Sequence, residues 1–202
     1  MTERDAVSDD SAAVWPASDA LAEVRAVAAP HPAVIPAEQL LAECRMGQLR
    51  RSGPGGQHRN KVSTAVSWTH EPTGISAEAS ESRDQTRNRR QALARLRLRL
   101  AIRLRTAPGE ANVDAMELAC RQRWSGRGLK VATANDDFQA VLALVLDDLH
   151  RSGGQPSLVG PLWQSSTTAV VSLVATEPAA FQELNRWREH HGRKPLHRRR
   201  GA

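Results

Sequence analysis

Hydrophobic residues in the first half of the chain follow the spacing of short strands. Residues 64–69 and 75–79 are strand-like, and the sequence Glu71-Pro72-Thr73-Gly74 between them is typical of a tight turn joining antiparallel strands. Residues 43–51 fit a further strand, and residues 37–41 fit a short helical turn. This pattern predicts a small antiparallel sheet.

The segment from Arg83 to Arg105 fits two periodicities. Arginine and leucine alternate between Arg95 and Leu100 as in an exposed strand, but most residues of the segment are strong helix formers. As a helix it would carry two apolar stripes on opposite sides, one with Leu93, Leu96, Leu100 and Leu104 and the other with Leu98 and Ile102. We predict a helix whose first stripe covers the sheet. The second stripe is expected to pack against the C-terminal helices.

The region beyond Pro108-Gly109 is predicted to be mostly helical. Residues 138–149 carry one apolar face, and Asn135 or Asp136 is the expected N-cap of that helix. Shorter helices are predicted at 118–123, 158–163, 169–174 and 178–187. Two of them flank a polar turn in the manner of a helix-turn-helix, a motif that also arises from three-helix packing without nucleic acid. The predicted fold class is α+β, a small antiparallel sheet with a glycine-rich loop and a long basic helix, followed by a mostly helical C-terminal segment.

Charge is distributed unevenly along the chain. The formal net charge is +6, although residues 1–40 contain seven acids and only two bases. We predict four parts: a disordered acidic extension over 1–36 with a transient helix at 21–27, a compact α+β domain over 37–107, a helical segment over 110–192 and a basic tail over 193–202. The basic body indicates a nucleic-acid partner, because neutralising phosphates supplies most non-specific affinity.

Several classes of protein are not supported by the sequence. Cys44 and Cys120 are far apart and have no metal-type spacing, which fits a reducing compartment without a disulfide framework. There is no secretory signal and no apolar run long enough to span a bilayer. We therefore expect a cytoplasmic monomer that does not associate with a membrane and that uses no metal or other cofactor.

The most distinctive stretch is the glycine-rich run Ser52-Gly53-Pro54-Gly55-Gly56-Gln57. Neither a helix nor a strand propagates through such a run, so it predicts an exposed loop with bare backbone N–H groups and one projecting amide. A second Gly-Gly-Gln occurs at residues 153–155, where Pro156 and apolar surroundings indicate a turn that stops a helix.

The surroundings of the first loop resemble the catalytic domain of class I peptide chain release factors. The resemblance is carried by residues 51–66, 69–75 and 81–85, and it extends from about Leu41 to Arg105. It implies that the loop enters the ribosomal peptidyl transferase centre and triggers hydrolysis of the peptidyl-tRNA ester. The catalytic residues would be Gly55, Gly56 and Gln57, with the main-chain N–H of Gln57 stabilising the developing negative charge. The amide of Gln57 would be a candidate for N5-methylation by a glutamine methyltransferase.

Basic and polar residues around the loop and on the long helix are the candidates for contacts with large-subunit RNA and peptidyl-tRNA. They are Arg51, His58, Arg59, Asn60, Lys61, Arg83, Arg87, Arg89, Arg90, Arg95, Arg97 and Arg99. Only 54 residues precede Gly55, and they leave no room for a codon-recognition domain. The layout therefore favours codon-independent ribosome rescue. The alternative is a non-hydrolytic nucleic-acid-binding protein that uses the arginine-rich helix and the helix-turn-helix-like region.

Overall fold

The structure, a computed structural model, describes residues 24–48, 65–107 and 114–198. The described strands are β1 (Arg25–Val27), β2 (Cys44–Gln48), β3 (Val66–His70), β4 (Ile75–Ala79) and β5 (Leu104–Thr106). The described helices are α1 (Ala37–Ala42), α2 (Gln85–Arg103), α3 (Ala115–Trp124), α4 (Phe138–Arg151), α5 (Pro156–Leu162), α6 (Thr167–Ala175) and α7 (Pro178–His190). The predicted α+β class and the predicted three-stranded sheet are confirmed.

Strands β2, β3 and β4 form an antiparallel sheet in chain order, with β3 in the centre. Helix α2 covers one face of this sheet, and Leu96 and Leu100 are fully buried against Ile75 and Ala77. Buried and more exposed side chains alternate along β4, because successive side chains point to opposite faces and only one face meets α2. The first predicted stripe therefore covers the sheet.

Helix α2 begins and ends within the predicted segment, at Gln85 and Arg103 instead of Arg83 and Arg105. The Asp84 carboxylate accepts the N–H of Thr86 at 2.8 Å and caps the first turn. After Arg103 the backbone becomes extended as β5, which pairs in parallel with β1. Leu104 remains fully buried in the same cluster, so the stripe continues past the end of the helix.

The region just before α1 corrects the predicted N-terminal extension. Residues 24–36 have defined structure, and Arg25–Val27 is a strand instead of part of a helix over 21–27. His31 and Ala33 are fully buried, and the N–H of His31 donates to Glu117 Oε1 at 2.8 Å. This part of the chain gains fixed partners from α3 and β5, which local sequence alone does not reveal. Residues 1–23 lie outside the described part.

The second stripe of α2 packs against the C-terminal helices, as predicted. Leu98 and Ile102 are half-buried and contact the large apolar cluster built around α4. Nearby, Ala33, Ala101 and Ala143 are fully buried together. These three small side chains allow α2 and α4 to approach closely, with the N-terminal segment against the same contact.

Helix α4 is the centre of the C-terminal region. Nearly all of its side chains from Phe138 to His150 are buried, which exceeds the single apolar face that the sequence predicts. Its N-cap residue is Asp137, which makes no side-chain capping bond, so the predicted cap at Asn135 or Asp136 is wrong. The helix ends at the second Gly-Gly-Gln as predicted, where the N–H of Gly154 reaches the Leu149 carbonyl at 2.7 Å.

Gly154 requires the absence of a side chain. Its φ is +74°, and a Cβ placed there would lie 2.6 Å from Cγ of Arg188 in α7. The Arg188 guanidinium donates to the Gly154 carbonyl at 2.6 Å, and Arg193 donates to the Gly153 carbonyl at 2.9 Å. This second Gly-Gly turn is therefore a structural element, held between α7 and the residues that follow it.

Candidate nucleic-acid interface

In the sequence, the glycine-rich loop connects β2 to β3. The predicted residues of the loop are Arg51, Gly55, Gly56, Gln57, His58, Arg59, Asn60 and Lys61, and all of them are outside the described residues. The structure does describe both ends of the loop. Gln48 is paired with Val66 at the last position of the β2–β3 ladder, so the two ends leave the sheet side by side.

The base of the loop is tightly packed. Gly47 stands opposite Ser67, and a Cβ on Gly47 would lie only 2.5 Å from the Ser67 hydroxyl oxygen. That hydroxyl donates to the Gly47 carbonyl at 3.3 Å. Since β3 is hydrogen-bonded to strands on both sides, the last residues before the loop are held in a fixed register.

The first turn of α2 lies beside this base. Val66 pairs with Ala79, the last residue of β4, and only a short connection separates Ala79 from the N-terminus of α2. The side chain of Asn88 is fully buried and holds that connection by accepting the N–H of Ser82 at 2.9 Å and donating to its carbonyl at 2.8 Å. Trp68 Nε1 also donates to the Arg89 carbonyl at 3.2 Å. The loop base and the start of α2 are thus one joined structure.

Four of the predicted contact residues form an exposed basic surface on this part of α2: Arg83, Arg87, Arg89 and Arg90. Among the described residues no carboxylate pairs with any of them, and Arg89 donates only weakly to Gln85 at 3.4 Å. Arg87 and Arg90 are three residues apart in α2 and share one face of the helix, and Arg83 lies just before the N-cap residue Asp84. Uncompensated guanidinium groups on one helix face are suited to binding phosphates.

The other three predicted arginines of α2 contact the protein itself. Arg95 pairs with the Glu81 carboxylate and donates to the Glu78 carbonyl, both at 2.8 Å. Arg99 is exposed and donates to the Ser76 carbonyl. Arg95 and Arg99 therefore tie α2 to the strand β4 and the residues that follow it.

Arg97 faces the N-terminal segment. Its guanidinium donates to the Ala33 carbonyl at 2.8 Å, and burial lowers the pKa of this group while Asp136 and Asp137 act in the opposite direction. The structure brings Arg97 to the junction of α2, α4 and the N-terminal segment instead of to the exposed basic surface.

A buried polar network lies at the other end of α2, and the sequence analysis did not find it. Arg105 is 3% exposed, and its guanidinium lies 3.4 Å from the Asp147 carboxylate of α4. Asp147 also accepts the backbone N–H of Thr106 at 3.3 Å. Burial lowers the pKa of Arg105, and the neighbouring Asp147 counteracts that effect. Adjacent acids within the apolar run of α4 were the available signal, because buried carboxylates require partners.

The second acid of that pair forms a separate buried contact. Asp148 accepts two bonds from the Arg121 guanidinium, at 2.6 and 3.0 Å, and one from Trp163 Nε1 at 2.8 Å. The hydrogen bonds and charge of Asp148 raise the pKa of Arg121 against the opposing effect of burial. These contacts join α3, α4 and α5 and have no exposed group to offer a ligand.

The described part of the basic tail folds back onto the C-terminal helices. Leu196 exchanges two hydrogen bonds with the Asn185 side chain, at 2.8 and 3.1 Å. Arg198 donates to the Ala175 carbonyl at the end of α6 at 2.7 Å. The backbone up to Arg198 is therefore bound by the protein, and the arginines that follow lie outside the described residues.

The described ranges do not support a metal site or a membrane span. No group of three or more His, Cys, Asp or Glu side chains there could hold a metal ion. No single described helix has the length and apolar character to cross a bilayer, and the one pair that has both together, α5 and α6, is bent by 104°.

Comparison with known proteins finds similarity in the part of the chain that contains the sheet and α2. The model of the RF-1 domain matches residues 39–130. Peptide chain release factor 1 of Nitrosomonas eutropha is 54% identical over 44 residues, which are 22% of this chain and 12% of that protein. Peptide chain release factor 1 of Burkholderia multivorans is 41% identical over 73 residues, which are 36% of this chain and 17% of that protein.

The matched segments are short, and the chain spans only 12% and 17% of the length of these two relatives. The family match ends at residue 130 and thus includes the sheet, α2 and α3 but not α4 to α7. Residues 39–130 of this chain are therefore similar to the RF-1 domain, the catalytic-domain type of class I release factors.

Proposed function

We propose that the protein triggers hydrolysis of the peptidyl-tRNA ester in the ribosomal peptidyl transferase centre. The observation that carries the proposal is the RF-1 domain match across residues 39–130, which includes the intact Gly55-Gly56-Gln57 sequence. The geometry supports it, because both ends of the loop leave a rigid sheet edge beside an exposed basic helix face. Such a base can present a loop to a deep RNA site while the arginines bind phosphates.

In this mechanism the ribosome supplies most of the catalytic site. The backbone N–H of Gln57 stabilises the negative charge that develops on the ester, and its side chain admits water while excluding larger nucleophiles. Gly55 and Gly56 supply backbone angles that a Cβ would oppose. No metal or cofactor takes part in the proposal. N5-methylation of Gln57 by a glutamine methyltransferase is included as a modification of the same amide.

The proposed ribosome contacts are those that the structure leaves exposed or does not describe. From α2 and its start they are Arg83, Arg87, Arg89 and Arg90. From the loop they are Arg51, His58, Arg59, Asn60 and Lys61. We propose that residues 37–107 are the catalytic unit and that the helical segment 110–192 helps select the ribosomal state. Release is expected to be codon-independent and cytoplasmic, with the protein acting as a monomer.

The first prediction tests the loop directly. Replacing Gly56→Ala should reduce peptide release from purified ribosomes carrying peptidyl-tRNA by about 10²-fold or more, the size typical of displacing an oxyanion donor. Gln57→Ala keeps the N–H but loses the side chain that admits water, so it should also reduce release. Ribosome binding, measured by co-sedimentation, should stay within a few-fold. Ribosomes with a stop codon, a sense codon or no codon should give equal release.

The second Gly-Gly-Gln supplies a matched control for this experiment. Gln155→Ala makes the same chemical change in a turn that only ends α4, where the amide donates to the Ser152 carbonyl at 3.0 Å. This variant should retain full release. Undiminished release by Gly56→Ala, or an equal loss in Gln57→Ala and Gln155→Ala, would contradict a catalytic role for the loop.

A non-hydrolytic nucleic-acid-binding function is the second candidate. The observation that favours it is the angle of 104° between α5 and α6, which falls in the range of helix-turn-helix pairs. The outward side of α6 carries the exposed Thr167, Thr168 and Ser172. The release assay separates the two functions, because a protein that only binds would give no release with any codon.

A further inference from the structure

A cleft of about 330 Å³ lies where the end of α2 meets α7, β1 and the start of β4. Ile75 and Ile102 form apolar walls, and three arginines stand around them: Arg25, Arg103 and Arg186. Residues from the RF-1 domain and from the C-terminal helices therefore meet in the same cleft. The family match does not include α7, so the cleft depends on a part of the chain outside that domain.

The charges around the cleft favour an anion. Arg25 donates to the carbonyls of Pro72, at 3.1 Å, and Thr73, which fix its position without neutralising it. Arg186 pairs with Glu183 at 2.7 Å, and Glu183 is the carboxylate that lines this cleft. Arg103 is exposed and has no hydrogen-bond or ion-pair partner among the described residues. Three guanidinium groups thus face one carboxylate, and most of their charge is left without a counter-charge.

Trp187 of α7 forms part of the wall of the same cleft. It is 6% exposed, and its indole nitrogen is buried without a hydrogen-bond acceptor among the described residues. The ring is held on one side by Arg105, whose guanidinium carbon lies 5.0 Å from the ring centroid, and by His150 at 4.9 Å. Because the nitrogen is shielded from the cleft, Trp187 contributes a fixed ring to the wall and no donor.

We propose that this cleft binds a phosphate group of a nucleotide or of single-stranded RNA. A phosphate group offers several acceptor oxygens, enough for Arg25, Arg103 and Arg186 together. Planar guanidinium groups match phosphate geometry, and the apolar walls suit a sugar or a base edge. A cleft of this size takes a single nucleotide. The site is separate from the loop and goes beyond the proposed hydrolytic function.

The strongest competing occupant is the acidic start of the chain. Val24 lines the cleft, and Asp19 and Glu23 shortly precede it. A phosphate group is the better match, because it has three acceptor oxygens for the three arginines, whereas a carboxylate has two. The experiment must nevertheless distinguish the two.

Isothermal titration calorimetry on the full chain, without ribosomes, tests the site. At about 50 mM salt, uridine 5′-monophosphate is expected to bind, whereas uridine is not. Penta-uridylate binding about tenfold more tightly would identify RNA as the source of the phosphate, and equal affinity would identify a free nucleotide. Because no ribosome is present, the result does not depend on whether the loop is catalytic.

Variants locate the binding in the cleft. Arg103→Gln and Arg186→Gln should each weaken uridine 5′-monophosphate binding about tenfold or more, the usual effect of losing a hydrogen bond to a charged group. Arg127→Gln, which removes an exposed charge after α3, should change the affinity less than twofold. Arg103 and Arg186 are both exposed, so thermal melting should show that each variant folds.

Two results would overturn the proposal. The first is no binding by the unaltered chain, and the second is an equal loss in Arg127→Gln and Arg103→Gln. If the first result is obtained, binding that appears when Asp19→Asn and Glu23→Gln are combined would assign the cleft to the acidic segment of the chain itself.

Discussion

Arginine serves two purposes in this protein, and burial separates them. Arg87 and Arg90 are exposed on α2, whereas Arg105 is buried between an aspartate and an indole ring. An exposed guanidinium keeps its charge available to phosphates at little cost. A buried one must be paired, because removing its partner leaves an isolated charge in a medium of low polarity. The residue type is the same, and only the surroundings decide the role.

His31 shows how a buried side chain is restricted to one protonation state. Its Nδ1 accepts the N–H of Ala33 at 3.0 Å, and its Nε2 donates to the Leu104 carbonyl at 3.3 Å. Both ring nitrogens are therefore used by the neutral form. Burial lowers the pKa of His31 to about 4, and Arg105 acts in the same direction, while Asp147 and the Leu104 carbonyl act against it.

This shift predicts a loss of stability in mild acid. The unfolded chain takes up a proton near the ordinary histidine pKa of 6.5, whereas the folded chain does so only near 4. The free energy of unfolding should therefore fall as the pH drops through this range, with His31 contributing about 2 kcal/mol between pH 7 and pH 5.

Urea unfolding of the parent and of His31→Gln at both pH values measures that contribution. The variant should lose about 2 kcal/mol less than the parent over this interval, because glutamine does not titrate. His150, whose pKa burial also lowers to about 4, is present in both chains and cancels in the comparison. Parallel pH profiles would show that His31 is not kept neutral by the fold.

At the scale of elements, α2 has three different sides. One side covers the sheet through Leu96 and Leu100, and another meets the α4 cluster through Leu98 and Ile102. The exposed basic surface lies towards the N-terminus, where α2 adjoins the base of the loop. The alternating arginines and leucines satisfy all three demands, since helical spacing distributes them around the axis.

The basic surface predicts a salt-dependent affinity for ribosomes. Combining Arg87→Gln with Arg90→Gln removes two phosphate contacts, so the slope of log affinity against log salt should become shallower by about 1.5. Affinity should be measured by filter binding between about 50 and 200 mM salt. Arg127→Gln with Lys130→Gln makes the same charge change in the loop after α3 and should leave the slope unchanged. Identical slopes in all three proteins would exclude the basic surface as the contact.

At the scale of the whole molecule, contacts of α2 with α4 and α7 join the sheet to the C-terminal helices. The close contact of Ala33, Ala101 and Ala143 and the ion pair of Arg105 with Asp147 lie on the same side of α2. The folding of either region is therefore expected to stabilise the other. A flexible tether between them is inconsistent with these buried contacts.

The docking predicts that a charge in this interface destabilises the entire chain. Leu98→Asp should lower the free energy of unfolding by about 3 kcal/mol, because it loses apolar burial and places a carboxylate against the α4 cluster. Leu118→Asp is the matched control, since Leu118 is 43% exposed on α3. Thermal and urea unfolding should show one transition for each protein. No loss of stability in Leu98→Asp would contradict the docking.

The sequence by itself determined the local elements and the resemblance. Turn residues indicated the β3–β4 hairpin, and glycines indicated the end of α4. The two stripes of α2 also followed from helical spacing. The residues of the loop domain could be recognised because the order and spacing of short motifs are properties of the chain and need no coordinates.

Only the tertiary structure decided which polar groups are available and which are buried. Arg97 and Arg87 cannot be distinguished by sequence, yet one binds the Ala33 carbonyl and the other is exposed. The order of residues 24–36, the Arg105–Asp147 pair and the cleft beside Trp187 all arise from segments distant along the chain. Local propensity cannot encode them, because burial and unpaired charge depend on which elements meet in space.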